Sequence, residues 1–151
     1  MAHSLTRRSC LIGVASALSL FHTREVMAAD ATLTFEELYA SFSALGLQFS
    51  DKVKTLEGKT ARIEGFMAPP LKAESNFFVL TQIPMALCPF CSSDADWPDN
   101  IMVVYLKSRQ TFTDPNELIV VKGTLEKGSW TDPDTGFVSQ LRLRDATFGR
   151  A

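Results

Sequence analysis

The residues of this chain best suited to chemistry are Cys88-Pro89-Phe90-Cys91. Two cysteines separated by two residues can close a small disulfide, exchange disulfides with another protein, or offer two thiolates to a soft metal. In exchange chemistry Cys88 attacks and Cys91 resolves the mixed disulfide. A helix beginning near Cys88 would favour its thiolate, because backbone N–H groups and the helix dipole stabilise negative charge. In metal binding Cys88 and Cys91 supply sulfur, and Asp94, Asp96 or Asp99 supply oxygen. Zinc accepts such a mixed donor set, and copper as Cu(I) accepts two thiolates. A disulfide between Cys88 and Cys91 would close a ring too short to gain much loop-closure entropy, so its effect is local rigidity. All three readings stay open.

The remaining composition narrows the field. The chain has 151 residues, two histidines and three cysteines. His3, His22 and Cys10 all fall in residues 1–28, which read as an export signal. Arg7 and Arg8 make a basic start, Leu11–Phe21 is an apolar run, and Val26-Met27-Ala28 suits a signal peptidase. The run is shorter than the ~20 apolar residues a transmembrane helix needs, so no permanent membrane span is expected. The expected location is the periplasm or another exported compartment, where oxidation favours the disulfide. Cleavage after Ala28 leaves no histidine and only Cys88 and Cys91. That excludes a histidine-dependent triad, an imidazole-ligated metal and a four-cysteine zinc site within one mature chain.

Losing Arg7, Arg8, Arg24 and Glu25 moves the net charge from −2 to −4. With the basic residues scattered, nucleic acid is not an expected partner. Trp97 and Trp130 offer rings on which a ligand can stack. Arg142 and Arg144 share one face of the last strand, an ordinary composition for an exposed face. Glu36/Glu37, Asp94/Asp96 and Asp132/Asp134 are paired carboxylates, but capping and turn formation already account for each pair.

Several elements must position these groups. Phe35, Leu38, Tyr39, Phe42 and Leu45 have helical spacing, so a helix is expected over 34–46, capped by Thr34 and stopped by Gly46. From residue 57 the period becomes two. Strands are expected over 59–67, 76–82, 101–107, 117–127 and 137–148, with Pro69 and Pro70 ending the first. Asp132-Pro133-Asp134-Thr135-Gly136 reads as a turn between the last two. One helix, five short strands, and Gly65 and Gly123 inside strands predict a mainly β fold. The expected form is a small five-stranded OB-like antiparallel barrel with an N-terminal α-helix, filling residues 29–151 as one domain.

Three resemblances add to this. Thr6-Arg7-Arg8-Ser9-Cys10-Leu11-Ile12 resembles a bacterial twin-arginine translocation signal, which implies export of a folded protein. Gly58–Gly65 and Val121–Leu125 resemble the glycine-bearing strands of OB-fold proteins. Glu64-Gly65-Phe66-Met67-Ala68-Pro69-Pro70-Leu71, with Phe77-Phe78-Val79-Leu80 and Cys88-Pro89-Phe90-Cys91, resembles an uncharacterised group of bacterial exported OB-like proteins. Some of that group sit beside genes for ABC-type transporters, including ones linked to zinc. The resemblance implies a transporter or metal-handling complex as partner. The cysteine motif is also similar to the active site of thioredoxin-like oxidoreductases, where Cys88 and Cys91 would be catalytic, but no βαβ unit surrounds it. The expected function is therefore a non-catalytic binding or accessory protein, with a thiol–disulfide oxidoreductase as the rival.

Overall fold

The alternation in residues 60–67 places Ala61, Ile63, Gly65 and Met67 on one side of an extended chain and Thr60, Arg62 and Glu64 on the other. In the computed structural model, which describes residues 30–43, 46–69, 76–85 and 97–151, the first set is buried and the second exposed. The elements run β1 (Ala31–Leu33), a 3-10 turn (Phe35–Glu37), β2 (Tyr39–Ser43), β3 (Gly46–Phe49), α1 (Asp51–Leu56) and β4 (Thr60–Met67). They continue with β5 (Phe77–Thr81), β6 (Ile101–Leu106), β7 (Leu118–Thr131) and β8 (Val138–Arg150). The fold is mainly β. The five strands expected by period are present, with β7 and β8 extended beyond their expected ends.

Strand pairing in the main sheet is cyclic. β4 pairs with β5, β5 with β6, β6 with β8, β8 with β7, and β7 again with β4. β1 adds a sixth strand alongside Ala61–Ile63. Two ladders, β1–β4 and β6–β8, are parallel, which corrects the all-antiparallel expectation. β7 lies between β6 and β8 in sequence but beyond β8 in the sheet, so β8 enters beside β6 running the same way.

The side chains inside this ring include Ile63, Met67, Phe78, Leu80, Met102, Val104, Val121, Leu125 and Leu143, all nearly without solvent contact. Two glycines let the strands approach. A Cβ on Gly65 would stand 2.7 Å from the Thr81 carbonyl oxygen, and one on Gly123 the same distance from the Arg144 carbonyl. Every residue of β5 is buried, as is nearly all of β6, so both faces of this pair are covered.

The helix expected over 34–46 is not there. At its expected start only a 3-10 turn forms, with the Thr34 N–H donating to the Glu37 carboxylate at 3.1 Å. The turn stops because the carbonyls that would continue it are already engaged. Ser50 donates its N–H to the Leu38 carbonyl at 3.0 Å and its Oγ–H to the Glu37 carbonyl at 2.5 Å. The chain then leaves as the β2–β3 hairpin. The apolar residues with helical spacing belong to different surroundings: Phe35 and Leu38 are buried, Tyr39 stacks on Phe49, and Phe42 is 82% exposed. The helix of this region is α1, where Ser50 Oγ accepts from the Val53 N–H at 3.2 Å and Val53 is buried.

Candidate functional site

Cys88, Cys91, Asp94 and Asp96, the sequence candidates for a disulfide, a metal site or redox chemistry, lie outside the described residues, as do the leader 1–28 and Pro70. Among the described residues no group of three or more His, Cys, Asp or Glu is placed to hold a metal ion. Asp99 is described and exposed. Near it, the Gln82 N–H donates to the Asn100 carbonyl at 3.1 Å, tying the end of β5 to the start of β6. Trp97 is 8% exposed and donates its indole N–H to the Tyr39 hydroxyl at 2.8 Å. That corrects its reading as an open stacking ring, since an indole N–H inside a fold takes a partner of this kind. Burial pushes the Tyr39 hydroxyl pKa up, against the opposing effect of the Trp97 hydrogen bond.

Trp130 stands in a different setting. β7 shifts register between Lys127 and Trp130, with Gly128 at φ 100°, and such a bulge bends a strand. Across the ladder Glu126 faces Arg142, and Thr124 faces Arg144. The Glu126 Oε2 accepts from Arg142 Nε at 2.8 Å and from Arg144 Nε at 3.2 Å. Arg142 also donates Nη1 to the Gly128 carbonyl at 2.8 Å, and its side chain is 8% exposed. The expectation of an ordinary exposed arginine face therefore fails for Arg142. A buried guanidinium needs acceptors, and β7 provides them.

Arg144 keeps 28% of its side chain exposed. Its guanidinium carbon lies 4.0 Å from the Trp130 ring centre and 4.5 Å from that of Tyr105, and Arg142 is 5.4 Å from Trp130. Both distances for Arg144 are within the range of attraction between a cation and a ring face. Trp130 meets Tyr105 edge-on at 5.2 Å, Tyr105 packs on Phe77 at 5.1 Å, and Phe77 on Phe137 at 5.3 Å. Directly after Arg144, Asp145 adopts φ 48°, a left-handed conformation that Asp tolerates.

Burial disfavours the Glu126 carboxylate, but the hydrogen bonds and charges of Arg142 and Arg144 outweigh it and hold the carboxyl below its usual range. Burial raises the Tyr105 pKa, helped by the Asp132 charge and opposed by Arg144. The Tyr105 hydroxyl is buried and meets no geometric hydrogen-bond partner among the described residues. Asp132 is committed to its own turn, as expected of that loop. Its Oδ1 accepts from the N–H of Asp134 and from the N–H and Oγ1–H of Thr135, at 2.7 to 3.1 Å.

A cleft of about 280 Å³ lies elsewhere, between β1, the 3-10 turn and β4. Glu36, Glu64, Gln82 and Leu118 line it, and Gln82 Nε2 donates to Glu36 Oε1 at 2.6 Å. The arginine–aromatic group escaped sequence reasoning, although a signal was present: two arginines alternate along β8 opposite one glutamate of β7, a cross-strand charge pattern.

No protein-family model matches the chain, and no curated protein matches it. Among solved structures it is similar to a DUF3299 family protein from Pseudomonas aeruginosa PAO1, known by its crystal structure, with a TM-score of 0.53. The match has 14% sequence identity and covers 82% of this chain and 98% of that one. At that identity the likeness speaks to fold alone, and the fold it shares is that of a protein from an uncharacterised domain family.

Proposed function

We propose that this chain is a small exported binding or accessory protein built on an OB-type five-stranded barrel, and that it catalyses no reaction. The cyclic order β4-β5-β6-β8-β7 supports the barrel reading, as do the parallel β6–β8 pair and the glycine contacts at Gly65 and Gly123. OB-type barrels bind ligands on the face of their second and third strands and on the loop before the last. Here those positions are β5, β6 and the turn at Asp132–Gly136. The observation that carries the proposal is the convergence there of Tyr105 and Trp130 on a partly exposed Arg144, with Phe77 packed against Tyr105. Fold analogy supplies the location, and the side chains supply the chemistry.

The leader supports export by the twin-arginine route to the periplasm. The Cys88–Cys91 motif supports a disulfide or a soft-metal site of zinc or copper, and the sequence resemblance supports a link to metal handling or an ABC-type transporter. No helix among the described residues is long and apolar enough to cross a membrane.

The test uses the protein purified from the exported fraction. Intact mass should show a chain starting at Ala29, either two protons light or carrying a metal that is lost in the Cys88→Ser/Cys91→Ser pair. The Trp130 indole resonance should move saturably with at least one probe from a panel of oligosaccharides and organic acids. A retained leader would overturn export, and an immobile Trp130 would overturn binding at this face. Disulfide reduction abolished by Cys88→Ser would restore the oxidoreductase.

A further inference from the structure

We infer that Arg144 is the anchor for a carboxylate, so that the ligand of the β5–β6–β8 face is a small organic acid. The inference rests on the binding reading above and names the ligand class for that site.

The two guanidiniums of the cluster are unequally used. Arg142 directs Nε to Glu126 and Nη1 to Gly128 and Ser139, and it is buried. Arg144 directs only Nε to Glu126 among the described residues. Its two Nη groups have no acceptor there, and its side chain reaches solvent. A guanidinium offers its donors in planar pairs, and the pair left on Arg144 matches the two oxygens of one carboxylate. Trp130 at 4.0 Å and Tyr105 at 4.5 Å hold that plane. The fork is thus oriented before a ligand arrives, which lowers the entropy lost on binding.

The charges around it select the kind of anion. Glu126 pairs with both Arg142 and Arg144 and offsets one of their two charges, so the surplus is a single positive charge, too little for a phosphate dianion. Recognition rests on directed hydrogen bonds, which suits a monoanion. The rings alongside suit an acid with an apolar body.

The experiment follows the Trp130 indole resonance of the full mature chain while benzoate, acetate, benzamide and inorganic phosphate are added. Benzoate should shift it saturably, acetate more weakly, and benzamide and phosphate not at all. Arg144→Lys keeps the positive charge but loses the planar fork, and should weaken benzoate at least about tenfold while the melting temperature stays near wild type. Should Arg144→Lys fold poorly, the benzoate–benzamide contrast in the wild-type chain decides alone. Equal shifts with benzamide or phosphate would overturn the carboxylate assignment, as would benzoate binding unchanged in Arg144→Lys. An oligosaccharide that moves Trp130 when benzoate does not would sink this inference and leave the binding reading standing. No response to any probe would sink both.

Discussion

The ring of β4 to β8 and the segment before it, residues 31–56, bury apolar groups by different means. In the ring, long strands alternate, and each inward residue meets another across a ladder: Ile63 with Val121, Leu80 with Met102, Val104 with Leu143. In the segment, single residues do the work at bends. Leu33, Phe35, Leu38 and Val53 are buried from four successive elements or their junctions, and the hairpin between them leaves Phe42 in solvent. The first region is held by repetition of one geometry and the second by individual hydrogen bonds at its corners. A substitution should therefore cost most where it breaks a ladder and least where it touches the hairpin.

The hardest test of that difference is Gly123→Val. The added Cβ would stand 2.7 Å from the Arg144 carbonyl and 2.9 Å from the Ala146 Cβ, neither of which is the end of a flexible side chain. We expect a loss of about 4 kcal/mol, or failure to fold, in urea denaturation. Gly46 in the hairpin has open space around it but φ 93°, so Gly46→Ala should cost only about 1 kcal/mol. Equal costs would mean that close packing in the ring is not what separates the regions.

A second pair compares the core with the hairpin. Leu143→Ala removes a fully buried side chain and should cost about 3 kcal/mol. Phe42→Ser removes a ring that is 82% exposed and should change stability by no more than about 0.5 kcal/mol. A large loss at Phe42 would show that the hairpin is covered in solution.

The same contrast explains what could be read from the sequence. Period two held for β4 and for much of β7 and β8, because a strand buried on one face repeats its environment every second residue. Even the unbroken Ile101–Leu106 run was informative, since both faces of β6 are covered. Period 3.6 over 34–46 misled because residues at those spacings fell into a turn and a hairpin, each with its own surroundings. Ser50, 16 residues beyond Thr34, ends the turn through two hydrogen bonds that no local pattern encodes. At the candidate site, Trp97 and Trp130 look alike in sequence, and only the fold separates the buried anchor on Tyr39 from the ring over Arg144. The burial of Arg142 depends on the Gly128 carbonyl, brought within reach by a bulge that no single residue announces.

Ser50→Ala tests the corner bonds directly. It removes the cap on α1 and the donor to the Glu37 carbonyl together. We expect a loss of about 1 to 2 kcal/mol in urea denaturation, with hydrogen exchange accelerated at Val53 and Lys54 but unchanged in β7 and β8. Faster exchange throughout the ring would mean that the two regions unfold as one unit.

The smallest effect is a dependence on pH at the arginine–glutamate fork. Glu126 ionises more readily in the folded chain than its ordinary value of 4.5, because two guanidiniums favour the carboxylate beyond the cost of burial. A carboxyl with a depressed folded pKa contributes stability that is full above the unfolded value and is lost as pH falls through the folded one. The stability difference between wild type and Glu126→Gln should therefore be constant near about pH 7 and shrink below about pH 4.5. The Glu126 side chain is 40% exposed, so solvent screens the pair and the difference should stay within about 0.5 kcal/mol and fall with added salt. A difference that grew on acidification would reverse the sign of the linkage and remove Glu126 as partner of both arginines. With Glu126 protonated, Arg144 should also gain freedom from its one acceptor among the described residues, so benzoate affinity in Glu126→Gln should match or exceed that of wild type.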